Sequence, residues 1–228
     1  MITTSPPESW RDAGWAAAPP LPEHLLAPVR AAATRALAER PWPELLCGVH
    51  NPFGRHVCVA DAWSFLDIGE SAAVLNAVEA VLGPDLVLWD SEILSGAAAL
   101  DRDEAAWWPV EPLAGALVLL TLADGAMRLV DITRLASAAP AAPLASGPIL
   151  ALRYMPATSR YVRDPRAPQN QCGAERRVLV NLATRPLWLV RGRDHAGNDF
   201  ATGFALPAAQ WAGASSLDTP SLDTPSNP

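Results

Sequence analysis

The stretch Val74-Leu-Asn-Ala-Val-Glu-Ala-Val-Leu-Gly-Pro-Asp-Leu-Val-Leu-Trp89 decides the fold. Val74, Leu75, Val78, Val81 and Leu82 recur at three- and four-residue intervals, which places them on one face of a helix. That spacing predicts a helix from about Glu70 to Leu82, with Gly83 placed to end it in a left-handed cap. After a Gly-Pro-Asp turn, Leu86 to Trp89 reads as a strand, so the chain passes from helix to sheet here.

Toward the N-terminus, Leu25, Leu26, Val29, Ala33 and Leu37 fall at helical spacing, with Arg30, Arg35 and Glu39 on the other side. They predict an amphipathic helix over His24–Arg40, ended by Pro41. Residues 1–22 carry Pro6, Pro7, Pro19, Pro20 and Pro22 and read as an extended Pro/Ala-rich arm. Toward the C-terminus the pattern turns to short β-rich runs: Ala116–Leu122, Met127–Asp131, Ile149–Tyr154, Arg177–Leu182 and Leu187–Arg191. Residues 137–146 have no periodicity and read as a loop. Ser216-Leu-Asp-Thr-Pro is repeated from Ser221, too short and Pro-rich to pack, so 213–228 is expected to be a disordered tail. A single domain over 23–212 remains.

Half of the 228 residues are hydrophobic and 18% are charged, enough apolar material for a buried core. The net charge is -7 and every basic residue is a scattered Arg, which excludes the positive surface that nucleic acid requires. The longest apolar run, Ala114–Leu122, is far short of a membrane span, and no basic-then-apolar leader opens the chain. Cys47, Cys58 and Cys172 are odd in number and form no Cys-x-x-Cys, as expected of free thiols in a cytoplasmic protein.

Four stretches, in order, resemble the phytanoyl-CoA dioxygenase family of Fe(II)/2-oxoglutarate-dependent oxygenases, especially its bacterial secondary-metabolite branch. They are Val74–Trp89, Trp107-Trp-Pro-Val-Glu-Pro-Leu113, Leu152-Arg-Tyr-Met-Pro-Ala157, and Leu189-Val-Arg-Gly-Arg-Asp194 with Gly197 and Phe200. The resemblance spans roughly residues 45–205 and implies a mainly β fold with flanking α-helices, the double-stranded β-helix or cupin-like jelly roll. It also implies an iron centre of His-x-Asp and a distal His, with an Arg for 2-oxoglutarate. Aligned on the Trp pair, the His-x-Asp positions fall on Arg102 and Glu104. The 2-oxoglutarate Arg falls on Gly147, and no His occurs from 57 to 194. An Arg stays protonated and cannot ligate iron. The expectation is therefore a divergent member that lacks these anchors, with no cofactor and no metal.

Arg102, Asp103 and Glu104 have two readings, a solvated charged loop or an inward cluster that pairs or binds a polar ligand. Inward placement would require partners, for which Arg153 and Arg128 are candidates. Trp107 and Trp108 are adjacent, so on a strand they would face opposite ways and one would line the pocket mouth. Tyr154, beside Arg153, completes the expected pocket set of Trp107, Trp108, Arg153, Tyr154 and Asp103, with Arg102 and Glu104 as the catalytic pair. Cys47, His50, His56 and Cys58 are potential zinc ligands, but their spacing matches no zinc ribbon or finger, and small buried thiols are common. His195, next to Asp194, reads as a solvated turn residue or as a His oriented by its acid neighbour. No nucleophile elbow or Gly-rich phosphate loop is present.

Three functions follow from these readings. One is a cofactor-free pseudoenzyme, an accessory or small-molecule-binding protein that takes a biosynthetic intermediate or docks on an active oxygenase homologue. The second is a metal-independent enzyme that performs a cyclisation, elimination or isomerisation, Arg102 stabilising negative charge and Glu104 acting as acid or base. The third is an iron and 2-oxoglutarate oxygenase with atypical ligands. Self-association into a homo-oligomer accompanies any of them as an expectation.

Overall fold

The computed structural model describes residues 6–39, 45–46, 50, 62–137, 147–176 and 182–200. The strand expected at 177–182, most of the loop at 137–146 and the tail at 213–228 lie outside these residues, as do Cys47, His56 and Cys58. Among the described residues, nine strands and five helices follow in the order α1 (Glu8–Ala13), β1 (Trp15–Ala18), α2 (Glu23–Glu39), β2 (Leu45–Leu46), α3 (Ala62–Gly69), α4 (Ala72–Leu82), β3 (Leu86–Leu94), β4 (Val110–Glu111), β5 (Ala116–Thr121), β6 (Met127–Asp131), β7 (Ile149–Pro156), β8 (Arg160–Tyr161), α5 (Pro168–Arg176) and β9 (Trp188–Arg191).

The deciding stretch folds as its spacing predicts. Ser71 caps α4 by accepting from the Val74 N–H, and Val74, Leu75, Val78 and Val81 turn inward. At the other end the Gly83 N–H returns to Glu79 O, and Gly83, at φ 91° and ψ -176°, is extended past the helix rather than in the left-handed cap expected. β3 runs on past Trp89 to Leu94 and is buried along its length.

One antiparallel sheet dominates, ordered β1-β6-β5-β7-β3, with β2 and β9 sharing the far edge of β3. β4 and β8 form a separate two-stranded sheet. The architecture is thus mainly antiparallel sheet with flanking helices, as expected, and no closed barrel forms among the described residues. No helix among them is long and apolar enough to cross a membrane.

The expectation of an extended arm over 1–22 is corrected. Prolines stand only at the flanks of 8–18, so a helix forms there; Gly14, at φ 72°, turns the chain, and β1 pairs with β6 from Trp15↔Val130 to Ala18↔Met127. Arg134 ties this hairpin-like entry down by donating to Arg11 O at 2.8 Å.

Side chains alternate across β7, and the alternation divides the molecule into two cores. Leu150, Leu152 and Tyr154 face the helices and pack with Leu26, Val29, Phe65, Val74 and Val78. Ile149, Ala151 and Met155 face the opposite, inner side, with Trp89, Trp107, Trp108, Leu117, Leu119 and Tyr161. Against β7 the register of β3 breaks at one point: Leu88 pairs with Tyr154 but Asp90 pairs with Arg153. Two steps on β3 match one on β7, the signature of a bulge. Trp89 and Asp90, although adjacent, therefore both belong to the inner face.

Candidate functional site

The inner face carries a buried ion cluster centred on Arg153. Its Nε donates to Glu104 Oε2 at 3.0 Å and one terminal nitrogen to Glu104 Oε1 at 2.5 Å, a two-pronged clasp. The other terminal nitrogen donates to Asp90 Oδ2 at 2.9 Å, and Glu92 Oε1 accepts a further bond. Arg185 reaches the remaining oxygen of Asp90. All five residues are at most 5% exposed. Burial opposes the charge of Arg153, but the carboxylates of Glu104, Glu92 and Asp90 overcome it and hold the guanidinium protonated.

Aromatic rings close over the cluster. The Trp107 ring lies 5.2 Å from the Arg153 guanidinium carbon, and the Trp108 Nε1–H donates to Glu104 Oε2 at 3.2 Å. Trp89 meets Trp107 and Trp108 edge-to-face at 6.3 and 5.0 Å. Its buried Nε1–H has no acceptor among the described residues. Glu104 and Trp107 sit on a short 3-10 turn, Glu104–Trp107, and the Trp107 Nε1–H is steadied by Asp101 Oδ2 at 3.0 Å.

Of the residues expected from sequence, the structure brings together Glu104, Arg153, Trp107 and Trp108. Both Trp residues turn inward, because a 3-10 turn and the extended residue after it replace the assumed strand. Arg102 and Asp103 are corrected: both side chains are exposed, since the turn directs only its fourth charged or polar position, Glu104, toward the sheet. Tyr154 is corrected as well. One residue from Arg153 on a strand, it points to the helix-side core, donates to Gly69 O at 2.7 Å, and burial pushes its hydroxyl far above the usual range. Arg128 lies over the Trp15 ring.

Asp90, Glu92 and Arg185 were missed. Asp90-Ser-Glu92 looked like the end of a strand, whereas its period-two spacing was the available signal for two charges on one buried face. His50 is buried, its Nδ1 3.2 Å from Ser91 Oγ and its Nε2 2.8 Å from Pro186 O. A carbonyl only accepts, so Nε2 carries the proton and Ser91 donates to Nδ1. Burial, with Arg185 nearby, lowers its pKa to about 3. Both ring nitrogens are thus engaged by hydrogen bonds. His195 is held by Asp85 at 3.0 Å rather than by Asp194, which caps Asn198 instead. A hydrogen bond from the Arg193 N–H, with His195 adding to it, keeps the Asp85 carboxyl below its ordinary pKa.

The antiparallel sheet, with helices on one face and a polar cluster on the other, has a cupin-like fold. Among solved structures, CytC3 shares this fold at a TM-score of 0.51, with 13% identity over 88% of this chain and 94% of that one. A nickel complex of ThoJ, a non-heme monooxygenase, gives 0.49 with 14% identity over 89% of each chain. The epimerase SnoN, solved with Fe3+, alpha ketoglutarate and nogalamycin RO, gives 0.49 with 13% identity over 67% of this chain and 83% of that one. No protein-family model matches the sequence, and no curated protein does. The fold implied by the phytanoyl-CoA dioxygenase resemblance is borne out.

The expectation of no cofactor is corrected by the same structures. CytC3 is also solved with Fe(II) and alpha-ketoglutarate, so the departures at 102, 104 and 147 do not establish a protein that works without them. The described side chains do not by themselves supply an iron site: Asp90, Glu92 and Glu104 bond to guanidinium groups. Among the described residues no three His, Cys, Asp or Glu are grouped to hold a metal ion.

Proposed function

We propose that this chain binds a polar small molecule, of the kind passed between biosynthetic enzymes, on the inner face of its sheet beside Arg153 and Glu104. The observation that carries this reading is the ion cluster itself. Five ionisable side chains fill the centre of a face otherwise lined by Trp and aliphatic residues. Such a cluster stabilises a fold no better than apolar packing of the same volume, and buried titratable groups gather at functional sites. The resemblance adds support, since position 104, aligned with a carboxylate anchor, carries a carboxylate aimed into the interior. The proposed roles are Arg153 as anion holder, Glu104 as its polar partner, and Trp107 and Trp108 as the apolar wall.

The test is a thermal-shift and calorimetry panel on the full chain. It includes ferrous ion, 2-oxoglutarate, and carboxylated or hydroxylated biosynthetic intermediates, with wild type compared against Arg153→Met. A compound that raises the wild-type Tm and leaves the variant unmoved supports the reading. A panel in which every shift is equal in the two proteins overturns it.

A further inference from the structure

Three N–H donors converge on one carboxylate at the centre of the inner face: Arg153 Nε, an Arg153 terminal nitrogen, and Trp108 Nε1, at 3.0, 2.5 and 3.2 Å. A fork of two guanidinium bonds with an indole bond beside it is the geometry of a carboxylate-binding site. The carboxylate that fills it belongs to the chain's own Glu104. We propose that Glu104 is a resident occupant of a carboxylate subsite, which a carboxylate-bearing small molecule takes over when Glu104 withdraws. The inference rests on the inner face being a ligand site and adds the class of ligand.

Two features make Glu104 the exchangeable member of the cluster. The first is its support. Asp90 and Glu92 are fixed on β3, paired directly to β7, whereas Glu104 rides on a connecting segment whose backbone bonds close locally: Ala99 N–H to Gly96 O, Leu100 N–H to Ala97 O, and Ala106 N–H to Asp103 O. The exposed Arg102 and Asp103 flank it on the solvent side. The second is charge. An incoming carboxylate that replaces that of Glu104 leaves the charge of the buried cluster unchanged.

Chemical rescue tests this directly. In Glu104→Ala the fork of Arg153 is left open, and propionate, one carbon longer than the CH2–COO⁻ group removed, offers it a carboxylate. Propionate at tenfold over its dissociation constant multiplies the folding equilibrium about elevenfold. In a chain of this length that reads as a rise in Tm of about 3–6 °C. Sodium chloride at equal ionic strength, wild type, and Glu104→Ala/Arg153→Met serve as references, and only Glu104→Ala is expected to show the saturable rise. Should Glu104→Ala not fold in buffer, the same titration is read as refolding yield from urea, which propionate either restores or does not. No propionate-specific gain, or an equal gain in the double variant, overturns the subsite. That result leaves the Arg153-dependent panel free to succeed on other ligand chemistry, so the two failures are told apart.

Discussion

Replacing Arg153 by Met removes a cation that Glu104, Asp90 and Glu92 all share. Breaking a buried pair costs about 3–5 kcal/mol because a charge loses its compensation, and here one deletion takes a charged bond from three carboxylates at once, Asp90 keeping that to Arg185. The expected loss is at the top of that range, about 5 kcal/mol at neutral pH, against a total stability of about 5–15 kcal/mol for an ordinary domain. The variant is therefore expected to be marginally folded. Its deficit should depend on pH with a definite sign. Without the guanidinium, burial disfavours the charged carboxylates, so their pKa values in the folded variant rise above those in the unfolded chain. A group with a raised folded pKa stabilises below its unfolded value, about 4, and loses that contribution as pH rises through the folded value. Urea denaturation followed by far-UV circular dichroism at several pH values between 4 and 8 measures this. Adding Glu104→Gln to Arg153→Met should recover part of the loss at pH 7. A loss below about 1 kcal/mol, or one equal at pH 5 and 8, would refute the view that Arg153 neutralises the cluster.

Gly115→Ala should cost about 1–3 kcal/mol by overpacking. A Cβ there would lie 2.3 Å from Trp108 Cζ3 and 2.5 Å from the Tyr154 carbonyl, and the altered emission of the buried Trp residues reports the shift. Tyr154→Phe loses its bond to Gly69 O and should cost about 1 kcal/mol, with ligand binding at Arg153 unaffected because the two side chains lie on opposite faces. His50, with a folded pKa of about 3 against 6.5, stabilises fully above pH 6.5 and loses that contribution as pH falls, because the unfolded chain takes up the proton first. The slope is about 1.4 kcal/mol per pH unit, so His50→Gln should flatten the stability profile between pH 6.5 and 4. Asp85, with a depressed pKa, loses its contribution as pH falls below its unfolded value, and Asp85→Asn should remove that dependence from the acid limb.

The helices α2 and α4 and most strands were legible because each carries its own periodicity. The three-and-four spacing of Val74 to Leu82 and the aliphatic runs of β5, β6 and β7 need no knowledge of a partner. β1 was not legible, since Trp-Ala-Ala-Ala becomes a strand only by borrowing the hydrogen bonds of β6, over a hundred residues away. α3 went unread for a related reason: it lies beyond a stretch without clear spacing. Half of the site could be read from Glu104 and Arg153, whose types and alignment stood out. Arg102 misled because a turn, unlike a strand, gives no rule for which of three consecutive charges faces inward. Asp90 and Glu92 were hidden by the assumption that charges end a strand, which holds only when no cation waits across the sheet.

The doubled step at Trp89 acts on the sheet as a frameshift acts on a message. Every residue of β3 after it is assigned to the side opposite the one simple alternation would give. Because that step is the extra one, deleting Trp89 would restore one-to-one pairing and leave Asp90 opposite Arg153, whereas deleting Ser91 would turn Glu92 toward the helices and Ile93 toward Arg153. The strand should thus keep its two faces after a loss of length at 89 and forfeit them after a loss of length further along.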